Sequence, residues 1–229
     1  MKPYISVMQE FIGRKFGRLS SELLIKKYMK QMGIGNLLAL THEQQVRFAN
    51  FFIAQVLQRH MDKDRIDLMK QQLFLTYCLD NALETVGKDR QKVVMHVGTA
   101  QIMTPRFALE GKDKNDLFFS FSAAGTWYVI LSQEKGVQFL NGLGGSSKEL
   151  FDVSMYGPWK TFLEATLNSF CALYEQHKHA SLSWNVPDYS DAQEHIQTIT
   201  SRGEDMVYAA DVTLGVQDTQ SEGRILYVP

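Results

Sequence analysis

In the first 87 residues the apolar positions recur at helical spacing. The stretch SSELLIKKYMKQMGI, with Ser20 or Ser21 as N-cap, places Leu23, Leu24, Ile25, Tyr28 and Met32 on one side; Gly33 and Gly35 break it. A second helix restarts at Thr41. Its hydroxyl, with Gln44 three residues on, forms a capping-box pattern ahead of a broad stripe of Val46, Phe48, Ala49, Phe52, Ile53, Val56 and Leu57. A third, DRIDLMKQQLFLTYCLDNALETVG, carries Ile66, Met69, Leu73, Leu79 and Leu83 and ends at Gly87, a C-cap residue.

The period then changes from helical to alternating. QKVVMHVGTAQIM is rich in valine and reads as strand, and GKDKND is turn chemistry. LFFSFSA and TWYVILS are β-branched and aromatic runs separated by Ala124-Gly125, which predicts a hairpin. EKGVQFLNGLGG is a short helix stopped by Gly144 and Gly145. YGPWKTFLEATLNSFCALYEQH is a long amphipathic helix with Pro158 in its first turn, where a missing N–H costs nothing. ASLSWNV, HIQTITS, DMVYAADVTLGV and GRILYVP read as strands. The order predicts an α+β fold with a largely antiparallel sheet covered by long helices. Two halves share a helix-then-strands plan, a pseudo-two-fold, and an extra helical segment precedes them. The expected domains are residues 1–62, helical, and 63–229, α+β.

Composition narrows the function. The chain has 229 residues, is 45% hydrophobic and 21% charged, and has a formal net charge of -1. No basic block offers a footprint for nucleic acid, and no apolar run is long enough to span a bilayer. With no signal-peptide core at the N-terminus, a soluble cytoplasmic protein is expected. Cys78 and Cys171 lie in apolar helical segments and read as buried reduced thiols. The six histidines form no ligand set: His177 and His179 make an H-x-H pair at a helix end, and His42, His60, His96 and His195 are isolated. NGLGGSSKE lacks the spacing of a phosphate loop and follows a helix rather than a strand, so the glycines read as a helix stop. A Cys-His pair brought together by the fold stays open, although a mid-helix thiol on an apolar background is usually inert. No catalytic residue, metal site or cofactor is predicted. Two polar pairs remain, Asp80 with Glu84 and Glu164 with Asn168, each one helical turn apart on one face. Each could coordinate a metal-bound acyl phosphate or orient a water. Each could equally be the solvated side of an amphipathic helix.

Residues 65–229 also carry a resemblance. The order GTWYVILSQEKGVQFLNGLGG, a polar loop, a long helix, then EDMVYAADVTLGVQDTQSEGRILYVP resembles the middle domain of the flagellar motor switch protein FliM and its relatives. These are the CheC/CheX/FliY chemotaxis phosphatases and the type III secretion C-ring proteins. The matching features are Trp127 to Ser132 leading into Val137 to Leu143, then Gly144-Gly145, then Trp159 to Tyr174. A closing phrase follows: Gly223, Ile225, Tyr227-Val228 and Pro229. Helix Arg65–Val86 and strand Lys92–Met103 fall where the family's first helix and strand would lie. Residues 1–62 lie outside the resemblance. The acidic N-terminal peptide by which FliM captures a response regulator is not evident in MKPYISVMQEFIGRKFGRL, and a C-terminal SpoA-like domain is expected to be absent, the chain stopping at Pro229.

The phosphatase branch carries a D/S-x-x-x-E-x-x-N signature, whose asparagine orients the hydrolytic water. Asp80 and Glu84 match its first half, but Gly87 stands where asparagine is required. On the second long helix Glu164 is followed by Leu167, with Asn168 one residue late, a rotation of about 100° around the axis. With neither copy intact, the resemblance implies a non-enzymatic interaction or scaffold protein. Its partner would be a response regulator, switch component or secretion component, and self-association is open. Asp80, Glu84, Glu164 and Asn168 are the candidate partner-binding residues; Gly144, Gly145, Pro158 and Gly223 are structural. The alternative is a response-regulator phosphatase with degenerate motifs, using Mg²⁺ brought by the regulator; the second is an unrelated α+β protein. Phe48, Phe51 and Phe52 offer a broad aromatic stripe that serves either docking or a plain core.

Overall fold

A computed structural model describes residues 1–58, 62–87, 93–98, 101–123, 125–145, 147–178, 181–203, 205–216 and 219–229. His60, Ala124 and His179, singled out in the sequence, lie outside the described residues. The chain divides into two compact units, Met1–Asn81 and Ala82–Pro229.

The first unit is helical. It contains α1 (Tyr4–Phe16), α2 (Arg18–Gln31), a 3-10 turn at Leu37–Ala39, α3 (His42–Leu57) and most of α4 (Lys63–Gly87). Helix α1 was not read from the sequence. Gly17, at φ 84°, breaks the chain between α1 and α2. Helix α2 therefore begins at Arg18 rather than at a serine cap. Ser21 is inside the helix and donates its hydroxyl to the Gly17 carbonyl at 2.7 Å. The Thr41–Gln44 capping box is present in both directions. The N-terminus is pinned to α4: the Lys2 backbone N–H donates to Asn81 Oδ1 at 2.6 Å, and Asn81 Nδ2 donates to the Tyr77 carbonyl at 3.0 Å. Buried Gln45 accepts from the Ile5 N–H and donates to the Leu40 carbonyl, both at 3.1 Å, so its desolvated amide is used at both ends. Phe48 and Phe52 are buried and Phe51 is at the rim, so this stripe is chiefly core.

The second unit is α+β, with one antiparallel sheet. After α4 come β1 (Val93–Val97), β2 (Gln101–Met103), α5 (Pro105–Ala108), β3 (Leu117–Ala123) and β4 (Thr126–Leu131). Then follow α6 (Gln133–Gly144), a 3-10 turn at Val153–Met155, α7 (Tyr156–Lys178), β5 (Trp184–Asn185), α8 (Ala192–Thr200), β6 (Val207–Val216) and β7 (Thr219–Val228). The strand order is β1-β6-β7-β4-β3-β5, with β2 also on β6. Half one is β1, α5 and the β3–β4 hairpin; half two is β5, α8 and the β6–β7 hairpin. The hairpins meet at β4 and β7, and each half lends its first strand to the other's hairpin. Exchanging the halves returns the same order reversed, which is the pseudo-two-fold expected from the repeated plan.

Alternation along the strands separates two faces. Phe119, with Phe139 of α6, packs on Trp159 of α7, while Phe118 and Tyr128 turn to the other face against His195 of α8. That second face holds Ala108, Leu109, Ile130, Ile199, Val207, Ala209, Leu226 and Val228. The α8 segment corrects the strand reading of HIQTITS. Its β-branched Ile196, Thr198, Ile199 and Thr200 look like strand, but Asp191 caps the first turn from its side chain. Ala192, His195 and Ile199 bury at helical spacing. Among the described residues of ASLSWNV, Trp184–Asn185 form the one strand.

Tight approaches are made by glycine. Helix α6 lies close to the sheet because Gly136 faces Leu117 and Gly142 faces Val216, where an added Cβ would stand 3.0 Å from the valine. Gly144 passes Pro158, whose Cγ would be 3.3 Å from a Cβ. Gly145 then ends α6 in the left-handed region at φ 64°, its N–H bonded to the Asn141 carbonyl. The glycine pair is thus a close approach followed by a C-cap. Space beside Gly145 is open, so only its backbone resists substitution. Gly145→Val is expected to cost about 1 kcal/mol or more and Gly145→Asn clearly less, read from urea midpoints.

Candidate functional site

Helix α7 presents the polar stripe that the sequence points to. Trp159, Phe162, Leu163, Thr166 and Leu167 are buried on one side. Tyr156, itself buried at the start of the helix, is followed at four-residue steps by Lys160, Glu164 and Asn168, which run from the edge of the buried side out to solvent. Tyr156 donates its hydroxyl to the Pro187 carbonyl at 2.9 Å. Burial, then the charges of Asp188 and Glu164, push this phenol up to about 12. Lys160 Nζ donates to Asp188 Oδ1 at 2.8 Å, which holds the Asp188 carboxyl below its ordinary value and the ammonium above its own. Glu164 is half-buried and Asn168 exposed.

The signature that the sequence resembles would carry its asparagine at position 167. That position is filled by a leucine only 7% exposed, and the amide at 168 lies about 100° further round. On α4, Asp80 is mostly covered and meets Lys2 Nζ at 3.5 Å; Glu84, one turn later, is half-buried. Asp80 falls in the first unit and Glu84 in the second.

The loop after Gly145 is braced by its own side chains. Asn141 Nδ2 donates to the Lys148 carbonyl at 2.7 Å, and Lys148 Nζ donates to Asp152 Oδ1 at 3.1 Å and Ser154 Oγ at 2.8 Å. This lysine is committed to the loop rather than to a ligand. Hydrogen bonds from Ser154 and Lys148 hold the Asp152 carboxyl down at about 2. Cys78 is buried and Cys171 half-buried, and neither is in a disulfide. Burial raises the Cys171 pKa, which disfavours the nucleophilic thiolate. Among the described residues no group of three or more His, Cys, Asp or Glu could hold a metal ion, and no helix is long and apolar enough to cross a membrane.

His195 is a core histidine. Its Nε2 is 2.9 Å from Ser190 Oγ, and its ring stacks on Phe118. Burial lowers its pKa, partly opposed by Glu194 and Asp191. Above about pH 6.5 the imidazole is neutral whether folded or unfolded, and its contribution is fully present. Below that the unfolded chain binds a proton that the folded chain resists, so stability falls with pH. Lowering the pH from 7.5 to 5.5 should reduce the urea midpoint more in the native protein than in His195→Gln.

Sequence reading missed one surface. Phe121, Trp127, Tyr227, Tyr208 and Ile102 are register partners across β3, β4, β7, β6 and β2, forming one apolar row on the α6–α7 face. Trp127 and Tyr227 rings stand 4.5 Å apart, and Tyr208 and Ile102 are 42% and 59% exposed. Gly125 at φ 140° leaves room for the Tyr227 ring. The mirrored positions of Phe121 and Trp127 about the hairpin turn were the legible signal; the rest needed the pairing.

No family model matches the sequence, and no curated protein matches it. Solved structures do. FliY of Thermotoga maritima superposes with a TM-score of 0.54 at 11% identity, covering 66% of this chain and 83% of that one. FliM of H. pylori, in complex with SpeE, gives 0.55 at 13%, covering 73% and 90%. The FliM middle domain of H. pylori gives 0.50 at 13%, covering 73% and 93%. The chain has the fold of the FliM middle domain and of FliY.

Proposed function

We propose that this chain is a non-enzymatic interaction protein of the flagellar switch or chemotaxis machinery, acting in the cytoplasm. One observation carries the non-enzymatic part: within a FliM-like fold, the place of the water-orienting asparagine on α7 is a core leucine, Leu167. A side chain packed inside cannot place a water against an acyl phosphate. The fold supports the machinery. FliM of H. pylori has been crystallised with FliG and with SpeE, so that protein binds protein partners. Glu164 and Asn168 are the partner-facing pair in this reading. Asp80 and Glu84 take the same role on α4, Asp80 with its ion pair to Lys2 already made.

Affinity capture with the full chain and with Glu164→Arg/Asn168→Arg tests this. Recovery of a switch, chemotaxis or secretion component by the native chain and its loss with the variant is expected. Equal recovery by both would remove α7 from the interface.

The first half of the phosphatase signature, Asp80 and Glu84, favours a second reading, a regulator phosphatase with Asn168 as a displaced amide. The decay of a phosphorylated response regulator separates the two. Unchanged decay with excess chain is expected; acceleration lost in Asn168→Ala would establish the second reading.

A further inference from the structure

Helix α2 is buried less than its sequence would allow. Only Ser21 and Ile25 are buried, while Leu19 and Leu23 are 78% and 70% exposed. On a helical wheel Leu19, Leu23, Lys26 and Lys30 fall within an arc of about 60°, opposite Ser21 and Ile25. Lys27 borders the arc, and all three lysines are exposed. Arg18 is paired with Glu22 at 3.2 Å, so the cationic end of the stripe lies in its last two turns. Lysines near a helix C-terminus also suit the helix dipole, but the dipole gives no reason to leave two leucines in water.

We infer that this stripe is a docking surface for an acidic amphipathic helix of another protein, laid antiparallel to α2. Charge complementarity picks the occupant. An antiparallel partner brings its N-terminal turns beside Lys26, Lys27 and Lys30, where carboxylates also suit the partner's own dipole. Its later apolar turns then cover Leu23 and Leu19. A second copy of α2 fails, because antiparallel pairing sets lysine on leucine and parallel pairing sets lysine on lysine. A membrane surface fits less well. A helix lying in a bilayer interface has lysines only at the flanks of its apolar face, whereas Lys30 lies on the wheel between Leu19 and Leu23. The inference concerns α2 alone and does not depend on the reading of α7.

The probe is a labelled 18-residue helical peptide with glutamates on one face of its first two turns and leucines on that face afterwards. Its control has the same residues in reversed order. Fluorescence anisotropy with the full chain should show preference for the first by about tenfold, weakening as salt is raised. Lys26→Glu/Lys30→Glu and Leu19→Ser/Leu23→Ser should each weaken binding by about tenfold. Equal affinity for both peptides, no binding of either, or insensitivity to both variants would overturn the inference. Binding to vesicles of phosphatidylcholine with phosphatidylglycerol, without peptide preference, would overturn it in favour of a lipid surface.

Discussion

Trp159→Ala is expected to cost the α+β unit about 4 kcal/mol, whereas Trp159→Phe should cost under about 1.5 kcal/mol. Trp159 is 0% exposed and lies 4.8 Å from Phe119, 5.8 Å from Phe139 and 6.0 Å from Phe162 between ring centroids. It joins α6 and α7 to the sheet, so alanine leaves a void that three neighbouring rings cannot fill by small shifts. Among the described residues its indole N–H has no acceptor. That donor has lost its water without gaining a partner. Phenylalanine removes this burden while keeping most of the ring, and the two effects offset. Urea unfolding of the two variants checks the contrast. Equal losses would mean that the indole itself, and not the volume it fills, matters at this position.

Gly223→Ala should be nearly as damaging, at about 3 kcal/mol, although it adds a single carbon. Gly223 of β7 pairs with Leu131 of β4 and Val212 of β6. A Cβ there would run into the backbone carbonyl of Ile130 and the side chain of Leu131. A carbonyl held in the sheet cannot rotate away as a flexible side chain would, so the ladder has to open. Amide exchange should quicken along β4 and β7 and much less in α3. Uniform quickening through both units would instead mean a global loss. A loss under about 0.5 kcal/mol would show that the strands part freely.

The legible parts of the fold were those where local chemistry and tertiary packing agree. Thr41 and Gln44 make a capping box in sequence and in space. Gly145 stops α6, Pro158 opens α7, and the valine-rich runs make strands. The misreadings come from residues whose local preference was overruled. Ile196, Thr198 and Ile199 favour strand, yet Asp191 caps them into a helix whose buried positions are three and four residues apart. Ser21 is a good cap residue, but Gly17 already turns the chain, so the serine is spent inside the helix.

The candidate site was legible as residue types and not as surfaces. Glu164 and Asn168 were placed on one side of a long helix, where they stand. That Leu167 belongs to the core, and that Asp80 meets Lys2 seventy-eight residues away, depends on long-range packing. The aromatic row from Phe121 to Ile102 was hidden for the same reason, since it exists only through the register of five strands.

The central claim is that α7 faces a protein partner in the switch or chemotaxis machinery. A photo-crosslinking amino acid at position 168 of the full chain, activated in the cells that make it, tests this most directly. The account predicts one dominant crosslinked product, identified by mass spectrometry as a switch, chemotaxis or secretion component and lost with Glu164→Arg. A crosslink only to proteins outside those systems, or none at 168 while sites on the opposite end of the unit crosslink, would contradict it.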